Sequence, residues 1–499
     1  MKLVVNTAAP TQAEIDAAQL RKLGAPGPHG SCWFTADPAV GRFARTFGPD
    51  QYRQARRQRA EGAVVGGAPP LALVVNFPAC EPLNHVPDRD GIHDSTREST
   101  RDSTPDTTHD GVHDSARDFV DLLAHEIELH NIEWGAMQMV SQIHLGGGSP
   151  TVLSDGELSD LMGLLRRAFC VARGAELSIE VDPRMASPAR LRHLFSLGFN
   201  RVLFGVQEFD PAVLAAVHRL QSYESVSDLV AEARALRFEA INAELLIGMP
   251  QQTPESFRRT VTQMSALHPT RITLHPYTRP HTRAKTPASR QRPQGRIALH
   301  TLPSAEQCMQ MRADAVAGFT RQGYVYLGMD EFALPTDELA VAKRLGRLRR
   351  NLQGYTTQPD SDLIALGVSA IGHIGANCTQ NATTLPGYRL ALAHGQLPVV
   401  RGLMLSRDDL LRSSVVMAIM CQGRVEFEAI ELAHLVKVQD VLAPELQRLR
   451  ALEALGLVHV NTQEIQVTDK GWFYVRAIAM VFDRHLQPHA AHPPLTRVV

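Results

Sequence analysis

The sequence predicts an α/β protein: a partial (β/α)6 barrel with an N-terminal helical extension and a mostly helical, winged-helix-like C-terminal domain. Three observations carry that expectation. Six apolar runs of strand length, Leu71–Phe77, Gln142–Leu145, Leu177–Val181, Arg201–Val206, Ala243–Ile247 and Arg271–Leu274, alternate with amphipathic stretches, and strand alternating with helix at this spacing makes a parallel sheet. Six such units are too few for the closed eight-fold barrel. The chain has 499 residues, 44% hydrophobic and 21% charged, which exceeds what one core usually supports and excludes a disordered or fibrous protein.

Residues 1–68, with Pro26-Gly27-Pro28 and the cationic stretch Arg53–Arg59, read as a helical extension leaning on the main domain. The barrel is expected over 69–300, its helices at Glu157–Phe169, Pro188–Leu197, Asp210–Arg219, Val226–Leu236 and Pro254–Leu267. Within it His93-Asp94-Ser95-Thr96-Arg97 is echoed by His113-Asp114-Ser115-Ala116-Arg117. So few apolar side chains cannot offset the entropy of ordering, so 93–118 is expected to be a disordered surface insertion rather than a metal-binding tract. Residues 301–400 complete the barrel and connect it to the domain at 401–499. There Pro444–Leu455 is an amphipathic helix with proline at its start and Gly456 just past its end, the asymmetry helices prefer. Leu457–Asn461 and Ile465–Val467 read as a hairpin, and Trp472–Phe482 as a helix.

Charge and cysteine usage narrow the function. Lys+Arg number 51 against 52 Asp+Glu, a net charge of −1, so no basic face favours a phosphate backbone; the winged module is expected to pack rather than bind nucleic acid. No apolar run approaches the ~18–20 residues that span a bilayer, and the opening residues lack a signal peptide's apolar stretch. A cytoplasmic monomer is expected. Of the six cysteines the nearest pair, Cys378 and Cys421, stands 43 residues apart, which fits neither a disulfide framework nor a C-x2-C zinc site. Cys170, Cys308 and Cys421 read as small core residues of amphipathic helices.

Chemistry concentrates where strands end. In His144-Leu145-Gly146-Gly147-Gly148-Ser149-Pro150-Thr151 an apolar strand runs into three glycines and then a helix start, which allows close backbone approach to a ligand; a tight turn is the alternative. Glu180 and Asp182 end one strand, Gln207 ends another, and Glu244 sits within a third. Barrel sites are built at these carboxyl ends, where a polar ligand satisfies such groups, as would a structural hydrogen bond. Arg219, near a helix end, reads either as a carboxylate ligand or as a partner of its own helix dipole.

Four of these stretches, Gly146–Thr151, Ser178–Pro183, Gly205–Phe209 and Gly248–Phe257, together with Gly328–Ala333, Asp337–Ala342, Gln353–Gln358, Gly367–Ile371 and Thr496–Val499, closely resemble the oxygen-independent coproporphyrinogen III oxidase family of radical S-adenosylmethionine enzymes. The resemblance runs from about Pro26 to the C-terminus. It implies anaerobic oxidative decarboxylation of coproporphyrinogen III to protoporphyrinogen IX, with S-adenosylmethionine and a [4Fe-4S] cluster as cofactors and a tetrapyrrole as small-molecule partner. By position, Gly147, Gly148 and Ser149 look like the loop holding the methionine part of S-adenosylmethionine. Glu180, Gln207, Arg219, Thr278 and Ile371 fall on further cofactor-contacting positions, and Glu244 falls where the family has aspartate.

The cluster loop departs from the pattern. The family's cysteines follow C-x3-C-x2-C; here Cys80 stands at the first position, with Asn84 and Pro87 at the second and third. Val74 and Val86 replace the family's aromatic residues, and His29-Gly30-Ser31-Cys32-Trp33-Phe34 departs from its N-terminal motif. One thiolate does not hold a cubane, so S-adenosylmethionine binding is expected to weaken, and the rival to an active oxidase is a non-catalytic protein that binds S-adenosylmethionine, porphyrin or haem on the same fold.

Overall fold

The computed structural model describes residues 43–62, 70–78, 110–134, 137–277, 301–351, 353–359 and 361–484. Six strands, β1 (Leu71–Asn76), β2 (Met139–Gly146), β3 (Cys170–Val181), β4 (Arg201–Gln207), β5 (Ala240–Ile247) and β6 (Arg271–Pro276), pair in parallel in chain order. All six expected strands are present. The chain adds β7 (Val325–Gly328) and β8 (Glu331–Ala333), which run antiparallel beyond β6, and a separate hairpin of β9 (Arg349–Asn351) and β10 (Gly354–Thr356). On the other side β11 (Leu363–Gly367) lies parallel to β1, followed outward by antiparallel β12 (Ile371–Ile374), β13 (Asn377–Asn381) and β14 (Val399–Met404). Among the described residues the twelve-stranded sheet stays open, with β14 and β7 as its edges. A bridge between Ala44 and Gly402 covers the β14 edge, a usual remedy for unpaired strand groups.

Strand alternation separates the two faces of the sheet. Along β3, Leu177, Ile179 and Val181 point to the core, while Glu176, Ser178 and Glu180 face a cavity inside the sheet; successive side chains of a strand must take opposite faces. The outer faces are covered by helices that start on side-chain caps. Ser154 and Glu157 form a capping box at Asp155–Ala168, and Thr253 and Ser256 form another at Pro254–Leu267. Ser187, Asp210 and Ser222 cap Pro188–Ser196, Pro211–Ala216 and Tyr223–Ala235. Each cap satisfies backbone donors that the first turn leaves unpaired.

Several expectations need correction. The second copy of the repeat, His113–Asp118, belongs to the 25-residue helix Asp110–Trp134 rather than to a disordered insertion; residues 93–109 lie outside the described residues, as do 1–42. Cys170 opens β3 and is exposed rather than packed in a helix. The sheet continues to Met404, past the boundary expected at 400. The last helix breaks at Tyr474 into Asp469–Phe473 and Val475–Met480. In the C-terminal region β15 (Arg424–Glu426), β16 (Val458–Val460) and β17 (Glu464–Val467) form a small antiparallel sheet among helices. No helix among the described residues is long and apolar enough to cross a membrane.

Candidate functional site

The inner faces of β1 to β6, with β8, β11 and β12, enclose a cavity of about 930 Å³, near the upper end of the usual range for ligand pockets. Its walls mix apolar side chains, such as Ala72, Leu203 and Leu246, with polar ones that strand alternation turns inward: Gln142 and His144 on β2, Asn242 and Glu244 on β5, and Arg271, Thr273 and His275 on β6 all line it. A barrel interior packed for stability would carry branched apolar side chains there. At the amino ends of the strands Arg201 pairs with Glu176 at 3.2 Å and with Glu338 at 2.5 Å, and Arg271 pairs with Asp337 at 2.9 Å, giving the cavity a charged floor.

At the carboxyl ends the chain leaving β1 is stitched to the glycine run. The amide of Phe77 donates to the Gly146 carbonyl at 2.8 Å, and the amide of Gly148 to the Phe77 carbonyl at 2.9 Å. Gly147 has φ +89°, and a Cβ there would lie 1.9 Å from Asn76 Oδ1; a Cβ on Gly148 would lie 2.4 Å from the Pro78 carbonyl oxygen. These glycines therefore let one backbone segment lie against another. Asn76 in turn donates to the Val368 carbonyl at 2.6 Å, and Gly367, at φ +96°, admits the Asn76 backbone where a Cβ would sit 2.3 Å from its oxygen. The exit from β1 is clasped from both sides.

Two carboxylates face the cavity, each beside a histidine. Glu180 accepts from the Gly147 amide at 3.2 Å and lies 3.2 Å from His144 Nε2, whose Nδ1 is 2.8 Å from Ser178 Oγ. Glu244 lies 3.0 Å from His275 Nε2. Burial opposes the charge on His275, but Glu244 prevails and holds its pKa above the usual value, as a close carboxylate does. Gln207 adopts φ +69° at the end of β4 and lines the cavity.

Of the expected cofactor contacts, Gly147, Glu180, Gln207, Glu244 and Ile371 line this one cavity. Gly148 and Ser149 do not; Ser149 Oγ lies 2.5 Å from Thr151 Oγ1. Arg219 also stands apart: it is buried, bonded to Asp182 at 3.2 Å and to the Gly205 carbonyl. Burial brings its pKa down to about 10 despite Asp182. Its carboxylate partner is thus internal. Thr278 and the cluster loop, with Cys80, Asn84 and Pro87, lie outside the described residues. Residues not singled out from the sequence include His144, His275, Asn76, Glu331, Arg350 and Arg476, all lining the cavity.

The donors suit one expected cofactor and not the other. Glu180, Glu244 and Gln207 offer acceptors for the ammonium and hydroxyl groups of S-adenosylmethionine, and Glu180 is already oriented by a backbone amide. For an iron–sulfur cubane the family's ligand positions supply one thiolate, Cys80, beside Asn84 and Pro87; proline has no donor atom and the set does not fit the group. Among the described residues no cluster of three or more His, Cys, Asp or Glu could hold a metal ion.

Comparison with known proteins matches residues 111–264 to the Radical SAM superfamily and residues 405–474 to the HemN C-terminal domain. Oxygen-independent coproporphyrinogen III oxidase of Pseudomonas aeruginosa is 36% identical over 487 residues, 97% of this chain and 98% of the relative. The enzyme of Escherichia coli K12 is 36% identical over 488 residues, 98% of this chain and 99% of the relative. The solved structure of coproporphyrinogen III oxidase from Escherichia coli, described as a radical SAM enzyme, superposes with a TM-score of 0.77 at 36% identity, covering 91% of this chain and 98% of that one.

Proposed function

Because the chain belongs to the oxygen-independent coproporphyrinogen III oxidase family, we propose that it binds S-adenosylmethionine and a coproporphyrinogen-class tetrapyrrole in the cavity inside the sheet, without itself performing the family's decarboxylation. Radical SAM proteins use S-adenosylmethionine and a [4Fe-4S] cluster. In this reading Glu180 and Glu244, oriented by His144 and His275, take the cofactor's hydrogen-bond donors, and Gln207 offers an amide to the same region. The volume of the cavity, and its apolar walls set with inward polar groups, support binding of a large ligand with polar arms.

The observation that carries the non-catalytic half is the pair Asn84 and Pro87 at the second and third cluster positions. S-adenosylmethionine supplies its radical only when an electron reaches it, and the residues present do not build the centre that delivers one. Anaerobic reconstitution with iron and sulfide should leave the protein without a cubane. About four irons per chain with a reducible cluster signal would overturn the reading. In the same preparation calorimetry should find S-adenosylmethionine bound weakly, and more weakly still in Glu180→Ala.

A further inference from the structure

Beside the cavity, at the β7–β8 end of the sheet, three guanidinium groups meet two carboxylates. Arg312 is bonded to Asp330 and donates to the Phe473 carbonyl at 2.8 Å, while Arg350 is bonded to Glu331. The third cation is Arg476, on the helix Val475–Met480 of the C-terminal domain. It lines the cavity and feels Asp330, Arg312, Arg350 and Tyr326 through space, yet it makes no hydrogen bond or ion pair with any described residue. Burial and the two neighbouring arginines both work against its charge.

A largely buried cation without a counter-ion is costly, and a protein that keeps one usually has a use for it. The unmet need here is a single negative charge arriving from the cavity. A guanidinium fork meets a carboxylate through two parallel hydrogen bonds, which adds geometric selectivity to the attraction. Two sources of carboxylate fit the proposed ligands: a side arm of the tetrapyrrole, or the methionine end of S-adenosylmethionine. The glycine run, Glu180 and Gln207 belong to β2, β3 and β4, whereas Arg476 gathers with β8 and the β9–β10 hairpin, across the sheet from that group.

We propose that Arg476 anchors a carboxylate of the bound tetrapyrrole, so that the C-terminal domain contributes a specificity-determining residue to the cavity. This rests on the tetrapyrrole reading above and adds which side chain recognises the ligand's acid arms.

The test uses the full-length protein and coproporphyrin III, a stable fluorescent tetracarboxylate, alongside its tetramethyl ester and S-adenosylmethionine. Arg476→Gln should weaken coproporphyrin III binding about ten- to a hundredfold, as expected for loss of one charge-assisted contact, with Arg476→Lys in between. The tetramethyl ester should bind wild type and Arg476→Gln alike, and S-adenosylmethionine affinity should stay the same. Because Arg476 has no partner to lose, the thermal midpoint of Arg476→Gln should not fall. Equal coproporphyrin III affinity in wild type and Arg476→Gln overturns the proposal, as does a loss confined to S-adenosylmethionine, or a lowered midpoint that marks the arginine as structural. Failure of the wild type to bind coproporphyrin III at all instead brings down the tetrapyrrole reading, and this inference with it.

Discussion

Glu126 is fully buried and collects three donors, Tyr388 Oη at 2.6 Å, the Gly367 amide at 2.7 Å and Asn381 Nδ2 at 2.7 Å. It therefore ties helix Asp110–Trp134 to the end of β11, which borders the cavity. One turn on, His130 Nδ1 lies 3.1 Å from Tyr52 Oη. Burial raises Glu126 to about 7 and lowers His130 to about 3. Between its ordinary value of 4.5 and about 7, folded Glu126 holds more protons than unfolded, so its contribution to stability falls as pH rises. Between about 3 and its ordinary 6.5, folded His130 holds fewer, so its contribution rises with pH. The two slopes oppose each other from about pH 4.5 to 6.5. Glu126→Gln removes the first and leaves the second. Calorimetric midpoints of that variant should climb through this window more steeply than those of wild type; parallel curves would show that Glu126 does not titrate as the structure implies.

At the scale of elements, the clasp at β1 outranks any single helix cap. Ser154→Ala removes one side of a capping box and should cost about 1 kcal/mol. Gly367→Ala meets two penalties together, a φ of +96° and a Cβ 2.3 Å from the Asn76 oxygen, and so should lose more in urea denaturation, with β11 displaced from β1. A smaller loss than that of Ser154→Ala would mean the clasp yields easily. The six parallel strands were legible because their apolar outer residues recur between amphipathic helices. β11 was not: Leu363–Gly367 is buried at every position, and a short, uniformly apolar run has no period to distinguish strand from helix. Its partner β1 also lies almost three hundred residues away, beyond any local signal. The site divides the same way. Glu180 and Gln207 could be placed from their positions at strand ends and Glu244 from its place within a strand, whereas nothing local reveals the bond of Arg219 to Asp182. Arg476 reaches the cavity from another domain, through tertiary contacts alone.

For the whole molecule, the C-terminal region is joined by direct contacts to the segment that completes the sheet. Lys343 Nζ sits 3.7 Å over the Trp472 ring, Arg312 lies 4.3 Å over Phe473, and Tyr355 Oη donates to the Met420 carbonyl at 2.7 Å. The non-catalytic reading proposed above places the loss of the family's chemistry at one short connection. Asn84→Cys with Pro87→Cys should restore about four irons per chain on reconstitution. Turnover of coproporphyrinogen III should nevertheless stay below that of a variant whose segment from Ala79 to His109 is exchanged for a relative's loop, because reacting groups must also be aligned closely. The exchange stops short of the helix that starts at Asp110. Equal turnover in the two variants would confine the damage to two missing thiolates.

The main-chain stitching around Phe77 and Asn76 has a consequence for descent. Both anchors precede Cys80, and their bonds run to Gly146, Gly148 and Val368. The bonds that fix this rim therefore involve neither Asn84 nor Pro87, the two positions where the family's thiolates are missing. On the non-catalytic reading proposed above, a lineage can lose its redox chemistry while these bonds persist, and whatever the cavity then holds becomes the trait on which selection acts.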